Sequence, residues 1–184
     1  MPESTATWRT PANALTLLRL AIAPALAAAI LREAWLPATG LFWLAVATDV
    51  ADGALARRHG QSSPLGGFLD HLTDALFCSV GLAALALQGV VTALLPIGVL
   101  VAFTQYAWDS RVVQGKALRA SWLGRWNGIA YYVIVAVPIV RDALGLAWPG
   151  PVTVQALAWG LVATTVVSIV SRVVSLRRAP GSPV

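Results

Sequence analysis

Long runs of apolar residues constrain this sequence more than any other feature. A bilayer's hydrocarbon core is about 30 Å thick, and a helix needs about 20 residues to cross it. Six runs approach that length, and they lack the short alternating segments typical of barrel strands. The runs are Ala14–Leu31, Ala38–Arg57, Leu65–Leu87, Val90–Trp108, Trp126–Val140 and Val152–Val173. They predict an all-α integral membrane fold with six transmembrane helices, forming a single domain over residues 1–184.

The composition also favours a membrane protein. Hydrophobic residues make up 58% of the chain and charged residues only 11%, whereas soluble domains carry roughly 25% charged residues. A soluble protein of this size could not bury so many apolar side chains in one core. The formal charge of +5 does not indicate nucleic acid as a partner, because the basic residues flank the apolar runs instead of forming one patch. The partner that this composition indicates is the lipid bilayer.

The distribution of Lys and Arg predicts the orientation, because basic residues concentrate on the cytoplasmic side of membrane proteins. With the amino terminus inside, two of the 13 basic residues, Arg32 and Arg141, lie on the outer side. The other eleven lie at cytoplasmic ends: Arg9, Arg19, Arg57, Arg58, Arg111, Lys116, Arg119, Arg125, Arg172, Arg177 and Arg178. We therefore predict a multi-pass protein of the cell (inner or cytoplasmic) membrane, with both termini and the active site facing the cytoplasm.

Acidic residues cluster in the second and third runs. Four of the chain's eight carboxylates, Asp49, Asp52, Asp70 and Asp74, fall within 26 residues. An ionisable residue inside a membrane helix costs roughly 2.5–3.5 kcal/mol on insertion scales, so four together require a function. Asp49 and Asp52 are three residues apart on one helix, and Asp70 and Asp74 are four apart on the next, so each pair shares a helix face. The short link between the runs predicts that the two helices are antiparallel neighbours.

Four converging carboxylates indicate a metal site. They repel one another unless a cation is present. Ligands that are all carboxylates suit Mg²⁺ or Mn²⁺ better than zinc. Two such ions could clamp the oxygens of a diphosphate, so the cluster predicts two-metal phosphoryl chemistry.

The acidic segment also resembles the signature of a known family. The pattern Asp49-x-x-Asp52-Gly53-x-x-Ala56-Arg57, then Gly66, Asp70 and Asp74 at the expected spacings, is similar to that of the CDP-alcohol phosphotransferases. The resemblance extends upstream, where Asn13, Thr16 and Arg19 match the family's opening amphipathic segment. The signature hairpin is predicted to span residues 38–87.

This resemblance implies an activity and a set of roles. It implies that Asp49, Asp52, Asp70 and Asp74 bind the metals and that Asp74 also acts as general base. The donor would be CDP-diacylglycerol, with CMP as leaving group, and the protein would be a homodimer. The residues expected to bind the CDP-lipid are Gly53, Ala56, Arg57, Ser63, Gly66, Asn13 and Thr16.

The segment 109–125 gives information about which alcohol is the acceptor. Its basic residues, which could bind a phosphorylated acceptor or merely flank the helices, are Arg111, Lys116, Arg119 and Arg125. The stretch from Ser121 to Arg125 is similar to a Trp-x-Gly-Lys segment in the glycerol-3-phosphate-using branch, which favours a phosphatidylglycerophosphate synthase. The chain departs from that branch at His71, Ala75, Arg125 and Asn127. Serine, inositol phosphate or another alcohol therefore stays open as acceptor.

Two other classes of function are compatible with acids in a membrane segment. An ion or proton transporter would use them as a path across the membrane, but its acids should be spread through the membrane depth. A non-catalytic scaffold would have no reason to keep four acids together. Both alternatives are less favoured than the transferase.

Overall fold

The fold is helical throughout the part of the chain that the computed structural model describes. That part comprises residues 11–58, 64–109 and 122–178, with side chains described within 15–51, 66–108 and 122–174. No strand occurs in these ranges. Their helices are α1 (Pro11–Leu31), α2 (Trp35–Arg58), α3 (Pro64–Leu87), α4 (Leu94–Asp109), α5 (Trp122–Ala143) and α6 (Pro151–Arg178). The prediction of an all-α chain with six helices is therefore confirmed over these ranges.

The starts of α4 and α5 differ most from the sequence prediction, by four residues each. Helix α4 begins at Leu94 and not at Val90, because the chain turns at Gly89, which has a positive φ of 74°. Helix α5 begins at Trp122, four residues before the predicted start at Trp126. Gly124 is tolerated in its first turn. Arg125, the last residue of the segment 109–125, consequently lies on a helix.

The helices pack in a closed ring in the order α1, α3, α4, α6, α5, α2, and α3 also touches α5 across the ring. Among the described residues, α2 and α3 are not a main packing pair, because α1 packs against both. The prediction that α2 and α3 are direct neighbours stays a prediction, because residues 59–63, which link them, lie outside the described part of the chain. Alanines make up much of the middle of α1, and small side chains let neighbouring helices approach closely.

The two ends of the ring are fixed by different polar contacts. Helices α1 and α3 run in the same direction, since Arg19 reaches Asp74 near their first halves and Gln88 Nε2 donates to the Ile30 carbonyl at their ends. At that second end, Thr39 Oγ1 of α2 also donates to the Ile139 carbonyl of α5, at 3.3 Å. The end at which Arg19 lies carries Asp49, Asp70 and Asp74, and we call it the acidic end. We call the opposite end, toward which Leu26, Leu82 and Leu85 are fully buried, the apolar end.

Three of the helices are long and apolar enough to cross a membrane, judged by length and composition within the described residues. These segments are Gly66–Leu87, Trp122–Ala143 and Pro151–Val174. Shorter apolar helices cover Leu15–Leu31, Trp35–Ala51 and Leu94–Trp108.

Large apolar side chains on the outside of the ring fit a lipid environment. Trp43, Trp126 and Val166 are each more than half exposed, and many Leu and Val side chains point outward with them. A monomeric soluble protein rarely exposes so many large apolar side chains. The distribution is that of a multi-pass membrane protein.

Candidate active site

A buried arginine organises the acidic end. Arg19 lies on α1, and its side chain has no solvent exposure. Its Nη2 lies 2.8 Å from Oδ1 of Asp49 on α2. Its Nη1 lies 3.1 Å from Oδ1 of Asp70 and 2.6 Å from Oδ1 of Asp74, both on α3. One guanidinium group thus connects carboxylates from the two helices that flank α1.

Asp74 has a second donor on the same oxygen. The hydroxyl of Tyr132, on α5, donates to Asp74 Oδ1 at 2.7 Å. The Tyr132 ring is stacked on Phe77 with centroids 5.8 Å apart, and it meets the edge of Phe42 at 6.2 Å. These aromatic contacts hold the ring in place, because both phenylalanines are fully or almost fully buried.

The acids converge closely enough to share a cation. One carboxylate oxygen each from Asp49, Asp70 and Asp74 lies within 4.8 Å of the other two. Three carboxylates against the single charge of Arg19 leave a net charge of −2 among these four side chains. The carboxyl groups are also 30–37% exposed, so they are reachable from outside. Hard oxygen donors with a net charge of −2 fit a divalent cation such as Mg²⁺ or Mn²⁺.

Several predicted site residues lie on the same helices, but their side chains are outside the described set. Asn13 falls on α1. The residues of this kind on α2 are Asp52, Gly53, Ala56 and Arg57. Ser63, Arg111, Lys116 and Arg119 lie outside the described residues altogether. The roles given to these positions stay predictions.

Three other predicted positions have described surroundings. Thr16 is half-buried on α1, one turn before Arg19, and Gly66 is half-buried on α3, one turn before Asp70. Thr16 and Gly66 therefore lie on two of the three helices that contribute side chains to the cluster, where a ligand beside it could reach them. Arg125 is exposed in the first turn of α5.

His71 makes contacts separate from those of its neighbour Asp70. Its Nδ1 is 2.9 Å from the Gly67 carbonyl oxygen. Its ring is stacked on Tyr106 of α4 with centroids 5.6 Å apart, and the Arg172 guanidinium of α6 lies 5.0 Å from the Tyr106 ring centroid. His71 therefore joins α3 to the α4–α6 side of the ring.

Sequence reasoning assigned no role in the cluster to Arg19 or Tyr132. The sequence places Arg19 among the basic residues at the cytoplasmic ends of helices and in the segment that resembles the opening segment of the family. The position of Arg19 within an apolar run was a usable signal, because a charge inside a membrane segment needs a partner. Tyr132 gave no comparable signal, since it lies about 60 residues from Asp74 along the chain and only the packing of α5 brings it close.

Comparison with known proteins supports an assignment for most of the chain. The family described as CDP-alcohol phosphatidyltransferase matches residues 9–175. A probable phosphatidylglycerophosphate synthase of Mycobacterium tuberculosis is 30% identical over 171 residues, covering 88% of this chain and 80% of that protein. An archaetidylinositol phosphate synthase of Aeropyrum pernix is 34% identical over 137 residues, covering 68% and 70% respectively.

Other relatives match over shorter segments. The CDP-diacylglycerol–glycerol-3-phosphate 3-phosphatidyltransferase of Pseudomonas fluorescens is 36% identical over 93 residues, which are 48% of each chain. Several of these curated relatives are covered over half of their length or less. The family match nevertheless extends from before α1 almost to the end of α6. The chain belongs to the CDP-alcohol phosphatidyltransferase family, which is a family of enzymes.

Proposed function

We propose that this protein transfers a phosphatidyl group from CDP-diacylglycerol to the hydroxyl group of an alcohol, with release of CMP, as a step of phospholipid synthesis. The observation that carries the proposal is the convergence of Asp49, Asp70 and Asp74 within 4.8 Å, with net negative charge and partial exposure. The family match supports the same reaction class.

The metal site is part of the proposal. Asp49, Asp70 and Asp74, together with Asp52 of the signature, would hold two Mg²⁺ or Mn²⁺ ions. Bound ions would neutralise the donor's diphosphate and the charge that develops on the departing CMP. A transferase of this kind needs no covalent intermediate on the enzyme.

The chain's own residues supply the proton transfer. Asp74 accepts the proton of the acceptor hydroxyl as that O–H bond breaks. The acceptor oxygen then forms a bond to the lipid-side phosphorus, the bond from that phosphorus to CMP breaks, and CMP takes the electron pair. The partial exposure of Asp74 leaves room for the acceptor to reach it.

Binding of the CDP moiety is proposed for the residues of the signature and of the segment upstream of it. Gly53, Ala56 and Gly66 lack large side chains and leave space for the base or phosphates, while Arg57 can donate to phosphate oxygens. Ser63, Asn13 and Thr16 complete this group. We further propose a homodimer in the cell membrane with six transmembrane helices, and with both termini and the active site on the cytoplasmic side.

Glycerol 3-phosphate is the acceptor that we favour. Two of the relatives above are named for phosphatidylglycerophosphate synthesis or for glycerol-3-phosphate phosphatidyl transfer. The basic residues Arg111, Lys116, Arg119 and Arg125 are then the proposed phosphate ligands. Because another relative is named an archaetidylinositol phosphate synthase, inositol phosphate is the main alternative, followed by serine or another alcohol.

A transporter is less well supported. Its acids should be distributed along a path through the membrane. Among the described side chains, Asp49, Asp70 and Asp74 instead gather at one end of the ring around Arg19. That arrangement favours chemistry at one membrane face over passage through the protein.

CMP release tests the proposal directly. The detergent-purified protein is incubated with CDP-diacylglycerol, Mg²⁺ or Mn²⁺, and in turn glycerol 3-phosphate, inositol phosphate, serine and phosphatidylglycerol. We expect release of CMP with glycerol 3-phosphate and formation of phosphatidylglycerophosphate. Release with a different acceptor alone would correct the acceptor, and release with none of them would overturn the transferase assignment.

A further inference from the structure

Asp74 is held asymmetrically. Arg19 Nη1 and the Tyr132 hydroxyl both donate to its Oδ1, at 2.6 and 2.7 Å. A carboxylate has two oxygens, each able to accept more than one hydrogen bond. Two donors on one oxygen therefore define the rotation of the carboxyl group and distinguish Oδ1 from Oδ2.

The first donor is itself immobilised. The Arg19 side chain is fully buried, and its guanidinium also contacts Asp49 and Asp70. A guanidinium is planar, permanently charged and carries its donors in a fixed fork. Several carboxylates on one such group therefore restrict one another's positions.

The second donor is fixed by packing. The Tyr132 ring packs against both Phe77 and Phe42, with centroid distances of 5.8 and 6.2 Å. Its hydroxyl group is at the rigid end of a side chain that has only two rotatable bonds. Tyr132 thus approaches Asp74 from α5, while Arg19 approaches it from α1.

We propose that Arg19 and Tyr132 are positioning residues that hold Oδ1 of Asp74, so that Oδ2 is the oxygen that receives the acceptor's proton. This inference rests on the proposed function of Asp74 as general base. Neither residue takes the proton. They keep the accepting oxygen of Asp74 in one place during proton transfer, which matters because misplacing a catalytic group by about 1 Å can cost about a hundredfold in rate.

The neighbouring tyrosine provides a matched control. Tyr131 is the adjacent residue on α5, and its hydroxyl is 2.7 Å from Thr165 Oγ1 on α6. Tyr131 is buried. Substitution by Phe removes its hydrogen bond to Thr165, whereas Tyr132→Phe removes the bond to Asp74. Tyr131 does not contact Asp74 in the described structure. Tyr131→Phe and Tyr132→Phe therefore remove the same atom at two places.

Steady-state kinetics of CMP release test the inference first. We expect Tyr132→Phe to lower kcat roughly tenfold to a hundredfold, the rate equivalent of a hydrogen bond to a charged group. The KM values for CDP-diacylglycerol and the acceptor should stay within about twofold. Tyr131→Phe should leave kcat within about twofold. Equal losses of kcat in the two variants would overturn the inference.

Metal affinity separates positioning from metal binding. Titration with Mn²⁺, followed by electron paramagnetic resonance, should give Tyr132→Phe nearly the wild-type affinity, since the hydroxyl contacts only one oxygen of one proposed ligand. If the affinity fell by the same factor as kcat, Tyr132 would act by supporting the metal site, and the assignment to proton transfer would be wrong.

A double-mutant cycle tests the contact without any turnover. In metal-free protein, Tyr132→Phe should lower the unfolding midpoint more when Asp74 is present than in an Asp74→Ala protein. The Asp74→Ala protein has already lost the hydrogen bond between Tyr132 and Asp74. Tyr131→Phe should lower the unfolding midpoint equally in both proteins. Strict additivity for Tyr132 would overturn the inference. A wild-type protein that released no CMP would overturn the proposed function instead, and the cycle would still decide whether Tyr132 holds Asp74.

Arg19→Lys is the companion variant. It keeps the positive charge but loses the fork that reaches three carboxylates at once. We expect a larger loss of kcat than for Tyr132→Phe, with recovery of neither kcat nor the wild-type unfolding midpoint at higher Mn²⁺. Wild-type kcat in a folded Arg19→Lys protein would contradict a positioning role for the guanidinium.

Discussion

The two ends of the helix ring differ in which side chains are buried and which are exposed. At the acidic end, Arg19 is completely buried while the carboxyl groups that it contacts are 30–37% exposed. At the apolar end, Leu26, Leu82 and Leu85 have no exposure, and the helices meet through such apolar side chains together with the hydrogen bonds of Gln88 and Thr39. The comparison indicates that the apolar end supplies stability and that the acidic end, open and charged, gives up some stability for binding and chemistry.

The same helices serve both ends. Gly81 of α3 lies where α1 and α5 cross it closely, since an added Cβ would be 3.3 Å from Val135 Cγ1 and 3.5 Å from Leu26 Cδ2. About two turns earlier on the same helix, Asp74 meets Arg19 of α1 and Tyr132 of α5. Close packing at the glycine therefore helps to set the distances at the carboxylate. Variants at each end should separate the two contributions.

Removal of divalent metal should have the largest effect, and only at the acidic end. We expect EDTA to abolish CMP release and to lower the unfolding midpoint, because a ligand at a hundred times its Kd contributes about 2.7 kcal/mol to stability. Added Mg²⁺ or Mn²⁺ should restore both. In the double variant Asp49→Asn/Asp70→Asn the metal should no longer raise the midpoint. If the metal raised the unfolding midpoint of that variant as much as that of the wild type, the metal would bind elsewhere.

Asp74→Asn should have the next largest effect. Loss of a general base lowers turnover about 10²–10⁴-fold, and the protein should remain folded because Asn has nearly the same size. The control is Asp142→Asn on α5 at the apolar end, where Asp142 pairs with Arg141 at 2.6 Å. CMP release should be close to wild type in this control. Wild-type turnover in Asp74→Asn would refute the role of Asp74 as base.

Gly81→Leu probes the apolar end. The leucine would overlap Val135 and Leu26, and we expect a loss of about 1–3 kcal/mol in the free energy of unfolding. The matched control is Gly160→Leu on α6, where an added Cβ meets nothing within 4 Å. Unfolding by SDS in mixed micelles gives the free energy of unfolding of both variants. If the two variants were equally stable, the close crossing at Gly81 would not be a determinant of the fold.

Gln88→Leu should have the smallest effect. It removes the 2.7 Å bond from Gln88 Nε2 to the Ile30 carbonyl, which also accepts a backbone bond from Glu33. One neutral hydrogen bond of this kind contributes about 0.5–1.5 kcal/mol. The unfolding free energy should fall by that amount, with kcat unchanged. A marked fall in kcat would mean that the two ends are coupled more strongly than their separate contacts indicate.

Most of the fold could be read from the sequence because the apolar runs are long and their breaks contain Gly, Pro or charged residues. The runs did not reveal that Val90 lies outside α4 or that α5 already begins at Trp122, because apolar and aromatic residues continue across those boundaries. The order in which the helices pack around the ring could not be predicted from the sequence either. Chain order favours α2 beside α3, whereas the alanines of α1 allow it to pack against both.

The candidate site was predicted in part. The spacing of Asp49, Asp70 and Asp74 indicated convergence, and the structure brings these three carboxylates together. The donors to Asp74 were not predicted, since Arg19 and Tyr132 are 55 and 58 residues away along the chain. Contacts at that separation depend on which helices are neighbours, and hydrophobic periodicity does not determine this.

The position of Arg19 on the first helix has a consequence for synthesis of the chain. Ribosomes build proteins from the amino end, so the guanidinium emerges before any of the carboxylates that it contacts. When α2 and α3 follow, the positive partner for Asp49, Asp70 and Asp74 is already present on α1. A chain that began after α1 would deliver those acids with no such counter-charge.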